Sequence, residues 1–416
     1  MALGRGMKSI LRNGGLMVGS GWVEIASRLI YIVFVTRYLG AQDYGVWTYA
    51  MAAYGLVIGL STLGLETLIP VRMHQTADRV QEILSTALCL RLVTLLVAGM
   101  GLILFAMLAE EDWSTRVALL MTLPALVGRS LVTWVRAVYM GFEHMVVPLR
   151  LTLVFRVTEV AVGIALLTMG AGLFTVLALH ALVWLLEGCC GLALVWRRGA
   201  LRLAWHKDIA WDLLRQGWLL GIAAAAMVAL MSGPVLLLRP MLDDFARLGP
   251  VALAFQVITI LVASCAPFFF AALPVLSRSA AAQDARVRFF GPLSALGILL
   301  LAATGSGIGF IYGPTLVVWA LGPEFQITGT LLGPAVLVAG LVLVPTGFGQ
   351  YLMVNKVVWP SAIALSTGVV VLVTLMPLAV ARFDVLGAML AAMVAWSVRA
   401  AIMITLSLRL APQKAP

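Results

Sequence analysis

The chain of 416 residues is 62% hydrophobic and only 11% charged, with a mean hydropathy of +1.05. A soluble protein of this length could not bury so much apolar surface, so the composition excludes that class and indicates a polytopic membrane protein. The net charge of +10 fits cationic cytoplasmic loops and is not interpreted as a nucleic-acid-binding surface. Arg5, Lys8 and Arg12 precede a long apolar segment without a small-residue cleavage site, so no cleaved signal is predicted.

Apolar segments of about 20 residues, separated by charged and turn-forming clusters, predict twelve transmembrane helices. Their approximate centres are Ser27, Tyr54, Thr94, Arg129, Glu159, Trp184, Ala226, Leu261, Leu299, Leu341, Val370 and Trp396. The predicted fold class is therefore an all-α polytopic membrane protein.

Basic residues outside the predicted helices are distributed unequally between the two sides of the membrane. One side carries Arg5, Lys8, Arg12, Arg72, Arg79, Arg150, Arg197, Arg198, Arg202, Lys207, Arg215, Arg278, Arg286, Arg288, Lys356, Arg409 and Lys414, and the other carries Arg37, Arg116, Arg239, Arg247 and Arg382. The positive-inside rule then predicts that both termini are cytoplasmic. No outer loop exceeds about 15 residues by this helix count, which leaves no room for an outer catalytic domain.

The longest inner connection runs from residue 197 to about residue 212 and is rich in basic residues and tryptophan. It is predicted to be either a short amphipathic helix at the membrane interface or a plain basic linker. In both cases it joins two six-helix lobes, residues 1–204 and residues 205–416.

Two pairs of short segments resemble each other at an offset of about half the chain. Residues 141–148 match residues 353–360 before helices 5 and 11, and residues 39–49 match residues 248–255 before helices 2 and 8. Six helices per lobe is an even number, so the two lobes are predicted to be parallel repeats related by a pseudo-two-fold axis along the membrane normal.

Ionisable residues inside the predicted helices are concentrated in the first half of the chain. They are Glu24, Arg28, Glu66, Arg91, Arg129, Arg136, Arg156, Glu159 and Glu187, against essentially only Arg399 in the second half. Charges in hydrocarbon are costly and usually mark a protein interior or a watery cavity. We therefore expect a polar cavity lined mainly by the N-terminal lobe.

The intramembrane cations are all arginines, which bind phosphate oxygens in bidentate fashion and stay charged when desolvated. The topology places Arg91, Arg136 and Arg156 in the cytoplasmic half of the membrane, and Arg28 and Arg129 near its middle. This pattern predicts that these five residues bind a phosphorylated or pyrophosphorylated amphiphile.

Structural alternatives exist for several of these arginines. Arg136 and Arg156 lie near predicted helix ends, where their side chains can extend to the interface. Arg156 with Glu159, and Glu24 with Arg28, have the spacing of local ion pairs. Arg129 has no acidic neighbour one helical turn away and is the strongest candidate for a binding residue.

The carboxylates Glu24, Glu66, Glu159 and Glu187 are candidates for ion or proton coupling, and His180 is a further candidate proton carrier. An interhelical hydrogen bond is the structural alternative for Glu187 and His180.

Motifs of soluble enzymes are absent: the sequence has no phosphate-binding P-loop, no zinc-protease motif and no dinucleotide fingerprint. The four cysteines fall in apolar segments without ligand spacing, so no disulfide, metal site or cofactor is predicted. The chain is not expected to be an enzyme, and active transport would use an ion gradient or the membrane potential.

Residues 37–47, Arg-Tyr-Leu-Gly-Ala-Gln-Asp-Tyr-Gly-Val-Trp, resemble the first-loop signature of the polysaccharide transporter family, the Wzx-type flippases of the MATE-like (MOP) superfamily. Residues 321–325, Leu-Gly-Pro-Glu-Phe, and residues 386–391, Leu-Gly-Ala-Met-Leu-Ala, are similar to later elements of that family. Residues 66–70, Glu-Thr-Leu-Ile-Pro, depart from it, because a smaller and less acidic sequence is expected there.

The resemblance implies a V-shaped, two-lobe carrier in the bacterial cytoplasmic (inner) membrane. By alternating access it would move an undecaprenyl-pyrophosphate-linked oligosaccharide to the outer leaflet, for surface polysaccharides such as the O-antigen of lipopolysaccharide. Polysaccharide polymerase and glycosyltransferase machinery are implied partners, and nucleic acid is not.

Three other functions are compatible with a chain of this class. A multidrug or organic-cation antiporter of the same superfamily would use acidic cavity residues. A peptidoglycan-precursor flippase typically has two further helices. A glycan polymerase or ligase generally needs a large outer loop, which this sequence lacks.

Overall fold

The computed structural model describes residues 2–199, 204–242, 244–281, 289–355 and 357–410. These residues form helices joined by short turns, and no strand occurs among them. The helices are α1 (Ala2–Ser61), α2 (Leu65–Gln75), α3 (Val80–Ala109), α4 (Trp113–Leu120), α5 (Leu123–Gly141), α6 (Val146–Thr168), α7 (Leu173–Arg197), α8 (Lys207–Leu238), α9 (Phe245–Ala281), α10 (Phe290–Leu321), α11 (Gln326–Leu343), α12 (Thr346–Val354) and α13 (Trp359–Leu410).

Ten helical stretches of the described chain are long and apolar enough to cross a membrane. Two of them, of 55 and 52 residues, are more than twice the length that a bilayer requires. Each contains one residue with left-handed backbone torsions, Gly40 (φ 72°) in α1 and Asp384 (φ 52°) in α13. Dividing both stretches at these breaks gives the predicted twelve crossings among the described residues, which confirms the all-α polytopic fold class.

The break at Gly40 reduces the predicted turn after the first helix to a single residue, because α1 continues from Ala41. Glycine adopts torsions with positive φ without steric cost. At the second break the Asp384 carboxylate also forms an ion pair with Arg247, at 2.5 Å.

The chain divides into two compact units, residues Met1–Ala225 and Ala226–Pro416. The first unit includes the beginning of α8, where Ile209, Ala210 and Leu213 are buried in the core formed with α2, α3 and α5. The predicted lobes, residues 1–204 and 205–416, stay a prediction. Of the predicted basic connection, residues 207–212 form the first turns of α8, and residues 200–203 lie outside the described part of the chain.

Two glycines bring α5 and α7 into direct backbone contact inside the N-terminal unit. A Cβ atom at Gly128 would lie 2.2 Å from the carbonyl carbon of Trp184, and one at Gly188 would lie 2.6 Å from the carbonyl oxygen of Gly128. Small residues allow such close approach of membrane helices. The contact fixes Arg129, the neighbour of Gly128, beside α7.

The C-terminal unit packs α10 against α11 in a similar way, with Gly309 against Gly333. Its intramembrane arginine, Arg399, is buried, donates to the carbonyl oxygen of Val342 at 2.8 Å and lies 5.1 Å from the ring of Trp396. These contacts indicate that Arg399 stabilises the packing of α13 against α11.

We predict that Gly128→Ala lowers the melting temperature of the detergent-solubilised protein, because the new methyl group forces α5 and α7 apart. Overpacking of this kind costs about 1–3 kcal/mol. Gly101→Ala on α3 is the matched control, since nothing lies within 4 Å of its Cβ position. A Gly128→Ala protein as stable as the wild type would contradict the helix contact.

Candidate functional site

A carboxylate and two guanidinium groups meet where α1 faces α5. Glu24 on α1 accepts a hydrogen bond from Arg129 Nη1 at 3.3 Å through Oε1. Its other oxygen, Oε2, accepts from Arg136 Nη1 and Nη2 at 3.5 and 3.4 Å. The two arginines are seven residues apart on α5, so they lie on one face of that helix. We call these three residues the Glu24 site.

The Glu24 site is only partly enclosed by protein. The exposed fractions of the side chains are 34% for Arg129, 29% for Arg136 and 25% for Glu24. The Glu24 contacts are long for charge-assisted hydrogen bonds, which are typically about 2.7–2.9 Å. The guanidinium groups are therefore accessible to a further anion, and their present partner holds them loosely.

Neighbouring helices fix the orientation of both arginines. The guanidinium carbon of Arg129 lies 4.4 Å from the centre of the Trp184 ring on α7, a cation–π geometry. Arg136 Nη2 donates to Thr152 Oγ1 on α6 at 3.0 Å. Arg28 lies one turn after Glu24 on α1 and is exposed. The hydrogen bonds of Glu24 to α5 show that its role extends beyond a local pair with Arg28.

A second polar cluster lies between α6 and α7 and consists of Arg156, Glu159, His180 and Glu187. We call it the Arg156 tetrad. Arg156 forms ion pairs with Glu159 on its own helix and with Glu187 on α7, the latter at 2.8 Å. Glu159 Oε1 lies 2.7 Å from His180 Nδ1. The arginine and both glutamates are buried, so Arg156 does not extend to the interface, and the local pair with Glu159 is present.

Charge balance in the Arg156 tetrad depends on one proton. Two carboxylates and one guanidinium sum to one negative charge when His180 is neutral, and burying an uncompensated charge is costly. One additional proton makes the tetrad neutral. The His180 Nε2 atom is buried without a hydrogen-bond partner, and the ring makes edge contacts with Tyr54 and Trp184. The predicted roles of Glu159 and Glu187 in proton coupling stay a prediction.

Arg91 forms a third cluster, in which its own protein partners surround the guanidinium group. Arg91 Nε donates to Ser130 Oγ at 2.8 Å, and its terminal nitrogens contact Thr133 Oγ1 at 2.5 Å, the Thr62 carbonyl at 3.3 Å and Glu66 Oε1 at 3.3 Å. The Thr62 carbonyl, just after the last residue of α1, also accepts a hydrogen bond from the backbone N–H of Leu65 at 3.1 Å. Arg91 is buried and ties α2, α3 and α5 together.

The five predicted substrate-binding arginines thus have different surroundings. The structure brings Arg129 and Arg136 together, with Arg28 one turn from their shared carboxylate, whereas Arg91 and Arg156 are enclosed by partners of their own. Trp184 was missed from sequence, although His180, Trp184 and Glu187 share one face of α7 at helical spacing. Its ring contacts both Arg129 and Arg156, the latter at 3.8 Å. Among the described residues, no cluster of His, Cys, Asp or Glu could hold a metal ion.

We predict that Arg156→Gln destabilises the protein far more than Arg129→Gln. Removing Arg156 leaves two buried carboxylates without their cation, and breaking a buried pair costs about 3–5 kcal/mol. Removing the partly exposed Arg129 leaves Glu24 bound to Arg136. Thermal unfolding in one detergent checks the order, and equal losses in the two variants would contradict the distinction between the clusters.

The fold occurs in solved structures of low sequence identity. The chain aligns with a eukaryotic MATE transporter, AtDTX14, at a TM-score of 0.65 and 13% identity, over 97% of this chain and 96% of that one. It aligns with the lipid II flippase MurJ in its inward closed conformation at a TM-score of 0.69 and 11% identity, over 95% of this chain and 87% of that one. It aligns with the Vibrio cholerae MATE transporter VcmN in the bent form at a TM-score of 0.60 and 11% identity, over 97% of this chain and 98% of that one.

At these identities the likeness concerns the fold, and it confirms the MATE-like architecture. No curated protein matches the sequence. The family described as polysaccharide biosynthesis protein matches residues 10–280, which is more than half of the chain and includes every residue of the Glu24 site and the Arg156 tetrad. The chain therefore belongs to the polysaccharide biosynthesis protein family.

Proposed function

We propose that the chain is a flippase that translocates an undecaprenyl-pyrophosphate-linked oligosaccharide across the bacterial cytoplasmic membrane for surface polysaccharide biosynthesis. The observation that carries the proposal is the Glu24 site, where two accessible guanidinium groups share one loosely held carboxylate. Family membership and the fold shared with a lipid II flippase support it. In this proposal both termini are cytoplasmic, and polymerase and glycosyltransferase machinery are the partners.

The charge of the site suits a pyrophosphate diester. Three positive charges surround Glu24: Arg129 and Arg136 contact it, and Arg28 lies one turn after it on α1. The carboxylate of Glu24 contributes one negative charge. The net charge of the site is therefore +2 with Glu24 ionised and +3 with Glu24 protonated, so in both states it at least balances the two negative charges of a pyrophosphate that links a polyprenol to a sugar. Arginine forks bind such oxygens in bidentate fashion without losing their own protons.

Binding of the substrate requires that Glu24 give up its contacts. Phosphate oxygens replace the carboxylate oxygens on Arg129 and Arg136, and the displaced carboxylate then lies beside the negative charge of the substrate. An unpaired charge there is unfavourable, so Glu24 takes up a proton. Release of the pyrophosphate on the other side reverses the exchange. Proton uptake and anion binding are thereby linked at one residue.

The contacts of Glu24 also argue against the alternative function, a multidrug or organic-cation exporter. A cation exporter needs a carboxylate that is free to bind a cation, whereas both oxygens of Glu24 already accept hydrogen bonds from arginine. Drug-resistance profiles of a deletion strain discriminate between the two functions, because the flippase proposal predicts no change in them apart from effects of a lost surface polysaccharide.

We predict that Arg129→Ala and Arg136→Ala each reduce surface polysaccharide in a complemented deletion strain while protein levels hold. Loss of one charge-assisted contact corresponds to a roughly 10- to 100-fold weaker interaction. Arg150→Ala is the control, because Arg150 is an exposed arginine outside the site. Normal polysaccharide in both site variants would contradict the assignment of the site.

We predict that Glu24→Gln tightens binding of a polyprenyl-pyrophosphate-linked sugar and abolishes its pH dependence. The wild type binds more tightly as pH falls, because displacement of Glu24 from the arginines is coupled to uptake of a proton, whereas glutamine has no proton to gain. Binding to purified protein between pH 5.5 and 8 measures both effects, since the diester phosphates do not titrate there. Equal slopes in both proteins would contradict the exchange.

A further inference from the structure

The first half of α8 carries an exposed stripe in which cationic and tryptophan side chains alternate. Lys207, Trp211, Arg215, Trp218 and Ile222 follow one another at spacings of four, four, three and four residues, so they lie on one face of the helix. All five are exposed, with Trp211 at 69% and Trp218 at 55%. We call these residues the α8 stripe.

The opposite face of α8 is fixed against the N-terminal unit. Leu213 is fully buried, and the Cβ positions of Gly217 and Gly221 would lie 2.5 and 3.0 Å from backbone atoms of Leu63. A helix held so closely along one side cannot turn to bury its other side. The α8 stripe therefore faces away from the N-terminal unit.

Neighbouring acidic side chains do not neutralise the stripe. Asp208 is bound by Arg79 at 2.9 Å, and Asp212 is bound by Arg72. The hydrogen bond from Arg79 lowers the pKa of Asp208, which keeps that carboxylate ionised and committed to its partner. Within the described chain, neither cation of the stripe has a hydrogen bond or ion pair of its own, so the outward face is positively charged.

Arg215 has a tryptophan one turn before it and another one turn after it. The indole N–H groups of Trp211 and Trp218 add two donors to the five of the guanidinium group. We propose that this triad binds the phosphate of one anionic phospholipid, with Lys207 beside the headgroup and an acyl chain lying along Trp218 and Ile222.

The position of the triad along α8 agrees with the depth of lipid phosphates. Residues 217–238 contain no charged side chain, and at 1.5 Å per residue they extend about 33 Å, enough to cross the hydrocarbon core. Arg215 lies less than one turn before this segment. Tryptophan is enriched at that boundary, and basic residues there attract anionic lipids. This charge complementarity favours a lipid over a protein partner.

Native mass spectrometry of the full chain tests the proposal, with dioleoylphosphatidylglycerol and dioleoylphosphatidylcholine as probes. We expect the wild type to retain phosphatidylglycerol preferentially and Arg215→Gln to weaken that retention about tenfold, as for one charge-assisted contact. Arg150→Gln is the matched control. Arg150 is also an exposed arginine, but Val146, Leu153 and Val154 surround it one turn away, so we expect no such loss.

A second variant distinguishes a specific phosphate site from nonspecific attraction by positive charge and from loss of the fold. Trp218→Phe keeps an aromatic ring but removes the N–H donor, and we expect intermediate retention with an unchanged melting temperature in detergent. Phosphatidylglycerol should also raise the melting temperature of the wild type more than that of Arg215→Gln. Equal retention of both lipids by the wild type, or equal losses in Arg215→Gln and Arg150→Gln, would overturn the proposal, as would a protein that occludes the stripe in isolated membranes.

Discussion

Charged groups inside a membrane protein need partners of opposite charge. The proposed function depends on one such contact, in which Arg129 and Arg136 share the carboxylate of Glu24. The carboxylate allows two cations to stand on one face of α5 in the absence of substrate. Its hydrogen bonds, at 3.3–3.5 Å, are long. A site that is paired but loosely held can exchange its internal anion for an external one, whereas a fully saturated cluster cannot do so without a large loss of stability.

The Arg156 tetrad and the Arg91 cluster show that contrast within the same unit. Their guanidinium groups are buried and have several short contacts each. They join α2, α3, α5, α6 and α7 into a frame, and the Gly128–Gly188 contact brings α5 and α7 together at its centre. Trp184 lies between the frame and the site, with one arginine of each stacked on its ring. Rigid surroundings of this kind hold the two exchangeable arginines in place.

The twelve crossings could be predicted from sequence because hydrocarbon thickness sets the length of a spanning helix. The Arg156–Glu159 pair was also within reach, since three residues along a helix place two side chains side by side. The pairing of Glu24 with Arg129 joins residues 105 positions apart and depends on how α1 meets α5, which no local pattern encodes. For the same reason the sequence grouped all five arginines as one site, whereas burial and partners separate them.

Translocation in proteoliposomes tests the central claim most directly, with one oligosaccharide attached to a polyprenol through either a pyrophosphate or a single phosphate. We predict that the wild type flips the pyrophosphate-linked form much faster, because two phosphates engage Arg129 and Arg136 together. A protein lacking both arginines is expected to flip neither form. Equal rates for the two linkages, or undiminished flipping without the two arginines, would contradict the proposed role of the Glu24 site.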